Sequence, residues 1–154
     1  MRSVTDSVPL DEVNRRIIEH LQRDGRMSYA ALAKAVGLSE AAVRQRVQRM
    51  LDHEVVRIVA VADPPTLGFA RQVMIGLRVT GDLRAAADRL AAIPQVHQVV
   101  ICAGGYDLLA ELVCTDDEQL LTVLNEHIRE IPGVTAAETF VYLQRTKQTY
   151  AWGT

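Results

Sequence analysis

Apolar positions recur at helical spacing three times between residues 11 and 52. The first stretch follows Asp11, the second follows Ser28 and the third follows Ser39, and Asp and Ser are favoured N-terminal caps. Gly37 lies between the second and third stretches and suits a left-handed helix end. A short helix, a tight glycine turn and a capped helix predict helix-turn-helix organisation. The apolar positions are Ile17, Ile18, Leu21, Ala31, Leu32, Ala35, Val43, Val47, Met50 and Leu51.

The β-branched run that follows, residues 55–61, alternates and predicts a short strand or wing. Asp63-Pro64-Pro65 then interrupts the chain, because neither a helix nor a central strand can pass through two adjacent prolines. The chain is therefore predicted to comprise a flexible tail (1–9), a winged helix-turn-helix domain (10–62), a linker (63–70) and a second domain (71–154).

The second domain contains an internal repeat. Ile93-Pro94-Gln95-Val96 recurs as Ile131-Pro132-Gly133-Val134, each time after a helical pattern and before a strand pattern. The order of elements is β-α-β-β-α-β, which predicts a ferredoxin-like sheet with two helices on one face, so the fold class is α+β. The strands are predicted over residues 73–79, 96–102, 106–114 and 134–144.

Both faces of this sheet are predicted to be apolar. The third strand places Leu109 and Val113 on one face and Leu108, Ala110 and Leu112 on the other. Because the helices cover a single face, we expect the other face to bind a second copy of the chain. A two-fold dimer would also let two helix-turn-helix units contact successive major grooves, ~34 Å apart.

Composition excludes several other classes of protein. The 154 residues are 49% hydrophobic and 23% charged, as in ordinary globular proteins. No apolar run approaches the ~20 residues that a membrane span needs. The first ten residues, MRSVTDSVPL, lack the apolar core of a secretory signal, so a cytoplasmic location is expected.

The charge is divided unevenly along the chain. The net charge is −2, yet residues 1–62 hold ten basic and eight acidic residues, whereas residues 63–154 hold seven and eleven. The third helix concentrates Arg44, Arg46 and Arg49 against the single acid Glu40. Arg and Gln on its outward face suit base edges or phosphates. A solvated helix in a small bundle is the alternative, but the cap, turn and basic face together favour DNA binding.

No catalytic or metal-binding pattern is present in the sequence. His20, His53, His97 and His127 have no metal-ligand spacing. The chain contains no G-x-S-x-G, CxxC or phosphate-loop motif. We therefore expect no enzyme activity, no metal and no cofactor. The two cysteines are interpreted as buried small hydrophobes, since their predicted strand positions lie beyond disulfide reach.

The stretch CAGGYDLL, residues 102–109, lies between two apolar strands. Gly104-Gly105 predicts a two-residue hairpin turn. The absence of Cβ atoms also leaves backbone amides open to a ligand carboxylate, and Asp107 can accept a hydrogen bond from a ligand ammonium. Asp107 as a turn-capping carboxylate is an equal alternative, and Tyr106 as a core or interface residue is favoured by the residues alone.

Taken together, these features resemble the Lrp/AsnC family of transcription regulators, also called feast/famine regulators. The resemblance runs from about Leu10 to Lys147 and includes DEVNRRIIEHLQRDGRMSYAALAKAVGLSEAAVRQRVQRM, ADPPTLG, IPQVHQVVICAGGYDLLAEL and IPGVTAAETFVYLQ. It implies a winged helix-turn-helix joined by a hinge to a ferredoxin-like (RAM/Lrp-type) effector domain. It also implies homodimers through the sheets, assembled into tetramers or octamers, with amino acids as effectors. His53-Glu54 stands where the family often has a glycine, and a non-glycine residue tolerates positive φ poorly.

The predicted function is therefore sequence-specific binding of double-stranded DNA, controlled by an amino acid or related metabolite. Arg44, Gln45 and Ser39 are assigned to base or phosphate contacts, and Arg46 and Arg49 to phosphate or scaffold contacts. A metabolite-sensing assembly protein whose first domain binds proteins is the alternative. The DNA-binding set is Ser39, Glu40, Ala41, Arg44, Gln45, Arg46 and Arg49. The effector set implied by the resemblance is Gly104, Gly105, Tyr106, Asp107, Leu108, Thr135, Ala137, Glu138 and Thr139.

Overall fold

The computed structural model describes residues 10–149. This part of the chain divides into two compact units, residues 10–61 with 147–149 and residues 62–146. The division falls between Val61 and Ala62, and the two prolines that follow Asp63 begin a 3-10 turn, Pro64–Leu67. The tail predicted over residues 1–9 lies outside the described residues.

Three helices build the first unit, and a side chain caps the start of each. Asp11, Ser28 and Ser39 each accept a hydrogen bond from a backbone N–H three residues further along. These bonds satisfy donors that a helix start leaves unpaired, and they confirm the three predicted caps. The helices are α1 (Glu12–Arg23), α2 (Tyr29–Val36) and α3 (Glu40–Asp52).

The three helices enclose one apolar core. Ile17 of α1, Leu32 of α2, and Val43 and Met50 of α3 are fully buried in it. Gly37, between α2 and α3, has φ +75° and takes the left-handed conformation that ends α2. The packed helices and the tight turn confirm the predicted helix-turn-helix.

α3 ends on a left-handed residue that is not glycine. Glu54 has φ +55°. Its backbone N–H donates to the carbonyl of Leu51 at 3.0 Å, and that of Val55 donates to Met50 at 2.9 Å. These two bonds form a Schellman motif, whose left-handed position glycine usually occupies. The chain makes the same turn with glutamate, at a backbone cost of about 1 kcal/mol.

The short strand predicted as one alternative for residues 55–61 is wrong. The structure assigns no strand to this segment. A strand requires a neighbouring strand to pair its backbone groups, and the other described elements of the first unit are helices. Val55 and Val56 pack against the helical core, whereas Ile58 and Val59 are half or more exposed. The β-branched pattern thus marks a partly exposed connecting segment.

The second unit is a four-stranded antiparallel sheet with two helical segments, in the predicted order β-α-β-β-α-β. Its elements are β1 (Arg71–Val79), α4 (Leu83–Ala91), β2 (Val96–Ile101), β3 (Leu108–Cys114), α5 (Asp117–Thr122) with a π-helical continuation (Val123–Ile128), and β4 (Val134–Val141). The order across the sheet is β2-β3-β1-β4. β3 starts two residues later than predicted and β4 ends three residues earlier, because pairing and not residue type sets these limits.

α4 and α5 cover one face of the sheet. Val73, Ile75 and Leu77 of β1 and Leu108 and Leu112 of β3 are fully buried on that face. Alternate residues point to the opposite face, which we call the bare face because α4 and α5 do not cover it. Its paired residues are Gln72, Met74, Gly76, Arg78, Gln98, Val100, Leu109, Glu111, Val113, Ala136, Glu138 and Phe140.

The bare face is apolar only in part, because Gln72, Arg78, Gln98, Glu111 and Glu138 lie on it beside the apolar residues. Phe140 and Val100 are 43% and 39% exposed. Glu111, directly across from Met74, accepts a hydrogen bond from the amide of Gln72 at 2.7 Å. The face therefore combines exposed apolar side chains with a satisfied polar pair.

No helix between residues 10 and 149 is long and apolar enough to cross a membrane. Over the same residues, His, Cys, Asp and Glu form no cluster of three or more that could hold a metal ion. Cys102 is half-buried and Cys114 is buried, and both are free thiols. Burial raises the pKa of Cys114 above its usual value.

Candidate functional site

The exposed side of α3 carries the polar residues that the sequence assigns to DNA. Its opposite side is buried through Val43, Val47 and Met50. The exposed positions are Ser39, Glu40, Ala41, Arg44, Gln45, Gln48 and Arg49. Small residues at the start of the helix, followed by Arg and Gln, form a surface that can enter a major groove.

Arg44 makes two contacts on this surface. Its Nη2 donates to Glu40 Oε1 at 2.9 Å. Its guanidinium carbon lies 4.7 Å from the ring centroid of Tyr29, the first residue of α2. Tyr29 is absent from the predicted site, although an aromatic residue directly after the Ser28 cap was a usable signal. The start of α2 therefore belongs to the same surface as α3.

Arg46 turns toward α1. Its Nη1 donates to Asp11 Oδ2 at 2.6 Å and to Asn14 Oδ1 at 3.0 Å. The backbone N–H of Asn14, and after it Arg46, hold the pKa of Asp11 below its usual value. Of the two roles predicted for Arg46, phosphate contact or scaffold, these bonds support the scaffold role.

The loop between β2 and β3 is longer than the predicted two-residue turn, so that prediction is wrong. The N–H of Cys102 donates to the carbonyl of Asp107 at 3.0 Å, and four residues lie between them. A two-residue turn of the favoured type needs positive φ near +60° at both glycines. Gly104 instead has φ +155°, and Gly105 lies outside the positive range. Both glycines are exposed, and an added Cβ would meet open space at either.

The carboxylate of Asp107 bonds to a backbone N–H at the end of β1. Its Oδ2 accepts a hydrogen bond from the backbone N–H of Val79 at 2.8 Å. The pairing of β1 with β4 shifts register between Arg78 and Val79, and such a bulge leaves a backbone group without a ladder partner. Asp107 supplies that partner, so its carboxylate has a structural role between the loop and β1 rather than within its own turn. This bond occupies one of its two oxygens.

Tyr106 lies across the bare face. A Cβ built on Gly76 would come within 2.7 Å of the Tyr106 ring, so the ring rests directly on that glycine. The ring also meets Phe140 edge-to-face, with centroids 6.2 Å apart. The Tyr106 hydroxyl donates to the Glu138 carboxylate. This bond, followed by burial, raises the pKa of Tyr106.

Comparison with known proteins identifies the two units. Residues 10–51 match the AsnC-type helix-turn-helix domain, and residues 72–152 match the Lrp/AsnC ligand binding domain. This chain belongs to the Lrp/AsnC family. Its relatives are transcription regulators, so this Lrp/AsnC chain is a DNA-binding regulator with a small-molecule effector domain.

Relatives from archaea and bacteria match nearly the whole chain. The HTH-type transcriptional regulator FL11 of Pyrococcus horikoshii is 31% identical over 144 residues, which cover 92% of this chain and 95% of that protein. The proline dehydrogenase transcriptional activator of Rhizobium radiobacter is 31% identical over 145 residues, covering 91% and 93%.

Solved structures share the fold. AsnC of E. coli gives a TM-score of 0.83 at 25% identity, covering 94% of this chain and 99% of that chain. A transcriptional regulator of Neisseria meningitidis, in complex with L-Met, gives 0.83 at 23% identity, covering 93% and 96%.

The predicted effector residues of this Lrp/AsnC regulator divide between the two sheet faces. Gly104, Gly105 and Tyr106 share the loop, and Glu138 meets Tyr106 on the bare face. Leu108 is fully buried on the helix-covered face. Ala137 and Thr139 pair with buried residues of β1 and lie on that covered face too. Thr135 donates from its hydroxyl to the carbonyl of Arg78 at 3.2 Å, at the bulge.

Proposed function

We propose that α3 of this regulator enters the major groove and that Arg44 and Gln45 contact base edges. The observation that carries the proposal is the amphipathic arrangement of α3. A buried apolar stripe fixes the helix on the core, while the opposite side exposes Arg44 and Gln45 behind a small N-terminal turn. Arginine bidentate to guanine and glutamine bidentate to adenine are common base contacts.

The effector is proposed to be an amino acid that binds at the loop between β2 and β3. It is proposed to act as a bound ligand and not as the substrate of a reaction. An added Cβ at Gly104 or Gly105 would meet open space, so a ligand carboxylate can approach this backbone, and Glu138, which accepts from the Tyr106 hydroxyl, provides a carboxylate for an ammonium. The L-Met complex of the Neisseria meningitidis regulator supports this class of ligand. Leu108, Ala137 and Thr139 are left out of the proposed contact set because they belong to the covered face.

The active form is proposed to be a homodimer through the bare face, assembled further into tetramers or octamers. The exposed apolar residues Val100 and Phe140 would lose their contact with water in such a dimer. A two-fold pair of helix-turn-helix units would span half-sites roughly 34 Å apart. An effector can change DNA binding only if it binds one state of the protein more tightly than another. These states differ either in assembly or in affinity for DNA.

The DNA assignment is tested with duplexes that the unaltered protein selects from a random-sequence pool. Binding is measured by fluorescence anisotropy across a salt series for the unaltered chain, Arg44→Ala and the control Arg84→Ala. Arg84 is an exposed arginine of α4, so its replacement removes the same charge from the second unit. We expect Arg44→Ala to weaken binding by about 5- to 150-fold, since a bidentate base contact contributes ~1–3 kcal/mol.

The salt series separates the rival functions. Specific DNA binding loses about 0.9 log unit of affinity per log unit of salt for each phosphate neutralised. Failure to select any duplex would favour the alternative in which the first unit binds proteins. If Arg44→Ala and Arg84→Ala weakened DNA binding equally, α3 would not be the part of the protein that contacts DNA.

The effector assignment is tested by thermal unfolding with each amino acid in turn, because a ligand of the folded state raises the unfolding temperature. Gly105→Ala adds a methyl group where the space is open and φ lies outside the positive range, so it obstructs a ligand without straining the loop. Gly25→Ala, whose Cβ would make ordinary contacts in the first unit, is the control. We expect the amino acid to raise the unfolding temperature of the unaltered chain and of Gly25→Ala, but not that of Gly105→Ala. If Gly105→Ala still showed this rise, the effector would not bind at the loop between β2 and β3. Asp107 is unsuitable for this test because its carboxylate holds the N–H of Val79.

A further inference from the structure

Tyr29 connects the core of the first unit to its exposed surface. It is the first residue of α2, it is half-buried, and it packs against the core of the three helices. Its ring also lies under the guanidinium of Arg44, whose carbon is 4.7 Å from the ring centroid. The ring is therefore held by the fold on one side and meets the exposed arginine of α3 on the other.

Glu40 holds the same guanidinium from a second direction. Its Oε1 accepts from Arg44 Nη2 at 2.9 Å, and both side chains are more than half exposed. An exposed ion pair of this kind contributes little by itself and is screened by salt. An aromatic face and a carboxylate together restrict an otherwise flexible side chain to a narrow range of positions.

We propose that Tyr29 is a positioning residue for sequence readout, which holds Arg44 in the orientation it needs to contact a base. The proposal rests on the proposed function of α3. A free arginine loses rotamer entropy when it binds, and this cost falls when the side chain is already ordered. Ordering matters most where geometry matters, at a base edge, and least at a phosphate, which attracts any nearby cation. Tyr29 is therefore expected to affect specific binding more than non-specific binding.

Two other roles for Tyr29 make different predictions. If its hydroxyl contacted a phosphate directly, removal of the hydroxyl would weaken binding to every duplex. If the ring only filled the core, its loss would lower stability and leave the discrimination between duplexes unchanged. A positioning role through Arg44 instead requires the ring, tolerates loss of the hydroxyl, and disappears when Arg44 is absent.

The experiment uses the full chain and two DNA probes, a duplex that the unaltered protein selects from a random pool and a scrambled duplex of equal length and composition. The measured quantity is the ratio of the two dissociation constants. The variants are Tyr29→Phe, Tyr29→Leu and Arg44→Ala, together with Tyr29→Leu combined with Arg44→Ala. Thermal unfolding of each variant checks that it is folded at the assay temperature, and Tyr29→Met replaces Tyr29→Leu if the latter is not.

We expect Tyr29→Phe to keep the ratio and Tyr29→Leu to lower it roughly two- to fivefold, the range of an exposed cation–π contact. In the Arg44→Ala background the leucine substitution should have no further effect on the ratio. A ratio unchanged by Tyr29→Leu, an equal loss in both backgrounds, or a loss with Tyr29→Phe would each overturn the proposal. If Arg44→Ala itself left the ratio unchanged, the assignment of α3 would fail, and that result differs from failure of Tyr29 alone.

Discussion

Glu54 occupies a backbone conformation that its side chain disfavours. Its φ of +55° places it in the left-handed region at the end of α3. A Cβ in this region crowds the following carbonyl, and glycine avoids that contact. We expect Glu54→Gly to raise the free energy of unfolding by about 0.5–1 kcal/mol, less than the full strain because glycine has more conformational entropy to lose on folding. Urea denaturation with an unchanged m-value would measure it.

Gly37 offers the reciprocal control for this prediction. It is left-handed at the end of α2, with φ +75°, and a Cβ there would meet no atom within 4 Å. Gly37→Ala therefore tests backbone strain without a steric clash and should destabilise the fold by about 1 kcal/mol. If Glu54→Gly lowered stability while Gly37→Ala behaved as expected, the Glu54 side chain would stabilise the folded state by more than its backbone strain costs.

Asp11 links acid stability to the contact between α1 and α3. The Asn14 N–H and Arg46 lower its folded pKa. Its charged form therefore contributes stability that is present above its unfolded pKa, about 3.9, and is lost as pH falls through the lower folded pKa. Asp11→Asn keeps an N-terminal cap but removes the charge. We expect the unfolding temperature of the unaltered chain to exceed that of Asp11→Asn at pH 7, with the gap narrowing below pH ~4.

Asp88→Asn is the matched control, because it removes one exposed carboxyl from α4 of the second unit. The difference in unfolding temperature between the unaltered chain and Asp11→Asn is corrected by subtracting the difference found for Asp88→Asn. If the corrected difference stayed constant from pH 7 to pH 2, the ion pair with Arg46 would not contribute to stability. The cap was predictable from sequence because its partner lies three residues away. The bond from Asp11 to Arg46 was not, since 35 residues separate them and packing alone brings them together.

At the scale of elements, Gly76 and Tyr106 form a unit that joins β1 to the loop before β3. The ring covers the glycine, and a Cβ on Gly76 would lie 2.7 Å from it. Gly76→Ala must displace the ring and with it the bond from Tyr106 to Glu138, at a cost of about 1–3 kcal/mol. A double-mutant cycle with Tyr106→Ala measures the coupling by urea denaturation. Additive effects of the two substitutions would show that the ring does not restrain the strand.

The elements themselves were largely predictable from sequence, because periodicity and capping are local properties. Helix starts at Ser28 and Ser39 and the β-α-β-β-α-β order follow from residues close in the chain. The loop around Gly104 was not predictable: Asp107 pairs with the bulged N–H of Val79, and that bulge depends on the register of β1 with β4. The strand prediction at residues 55–61 was wrong for a similar reason. The residue types favour a strand, but a strand forms only where a second strand is available to pair with it.

At the scale of the whole molecule, a charge on the bare face tests self-association. Met74 lies at the centre of that face, between Glu111 on β3 and Phe140 on β4. Met74→Arg places a cation beside Glu111, which can pair with it in the monomer, so the second unit should still fold. In a dimer through this face the same charge would lose its hydration, and burying an ion imperfectly paired costs several kcal/mol.

We therefore expect Met74→Arg to shift the mass measured by sedimentation toward that of a single chain, 17.0 kDa. Leu121→Arg is the control, because Leu121 is 59% exposed on α5 and its replacement adds the same charge to the helix side of the sheet. A dimer that withstands Met74→Arg but not Leu121→Arg would place the interface on the helices. Since two linked helix-turn-helix units bind a two-fold site far more tightly than one, the monomeric variant should also lose specific DNA affinity while Arg44 and its surroundings are unchanged.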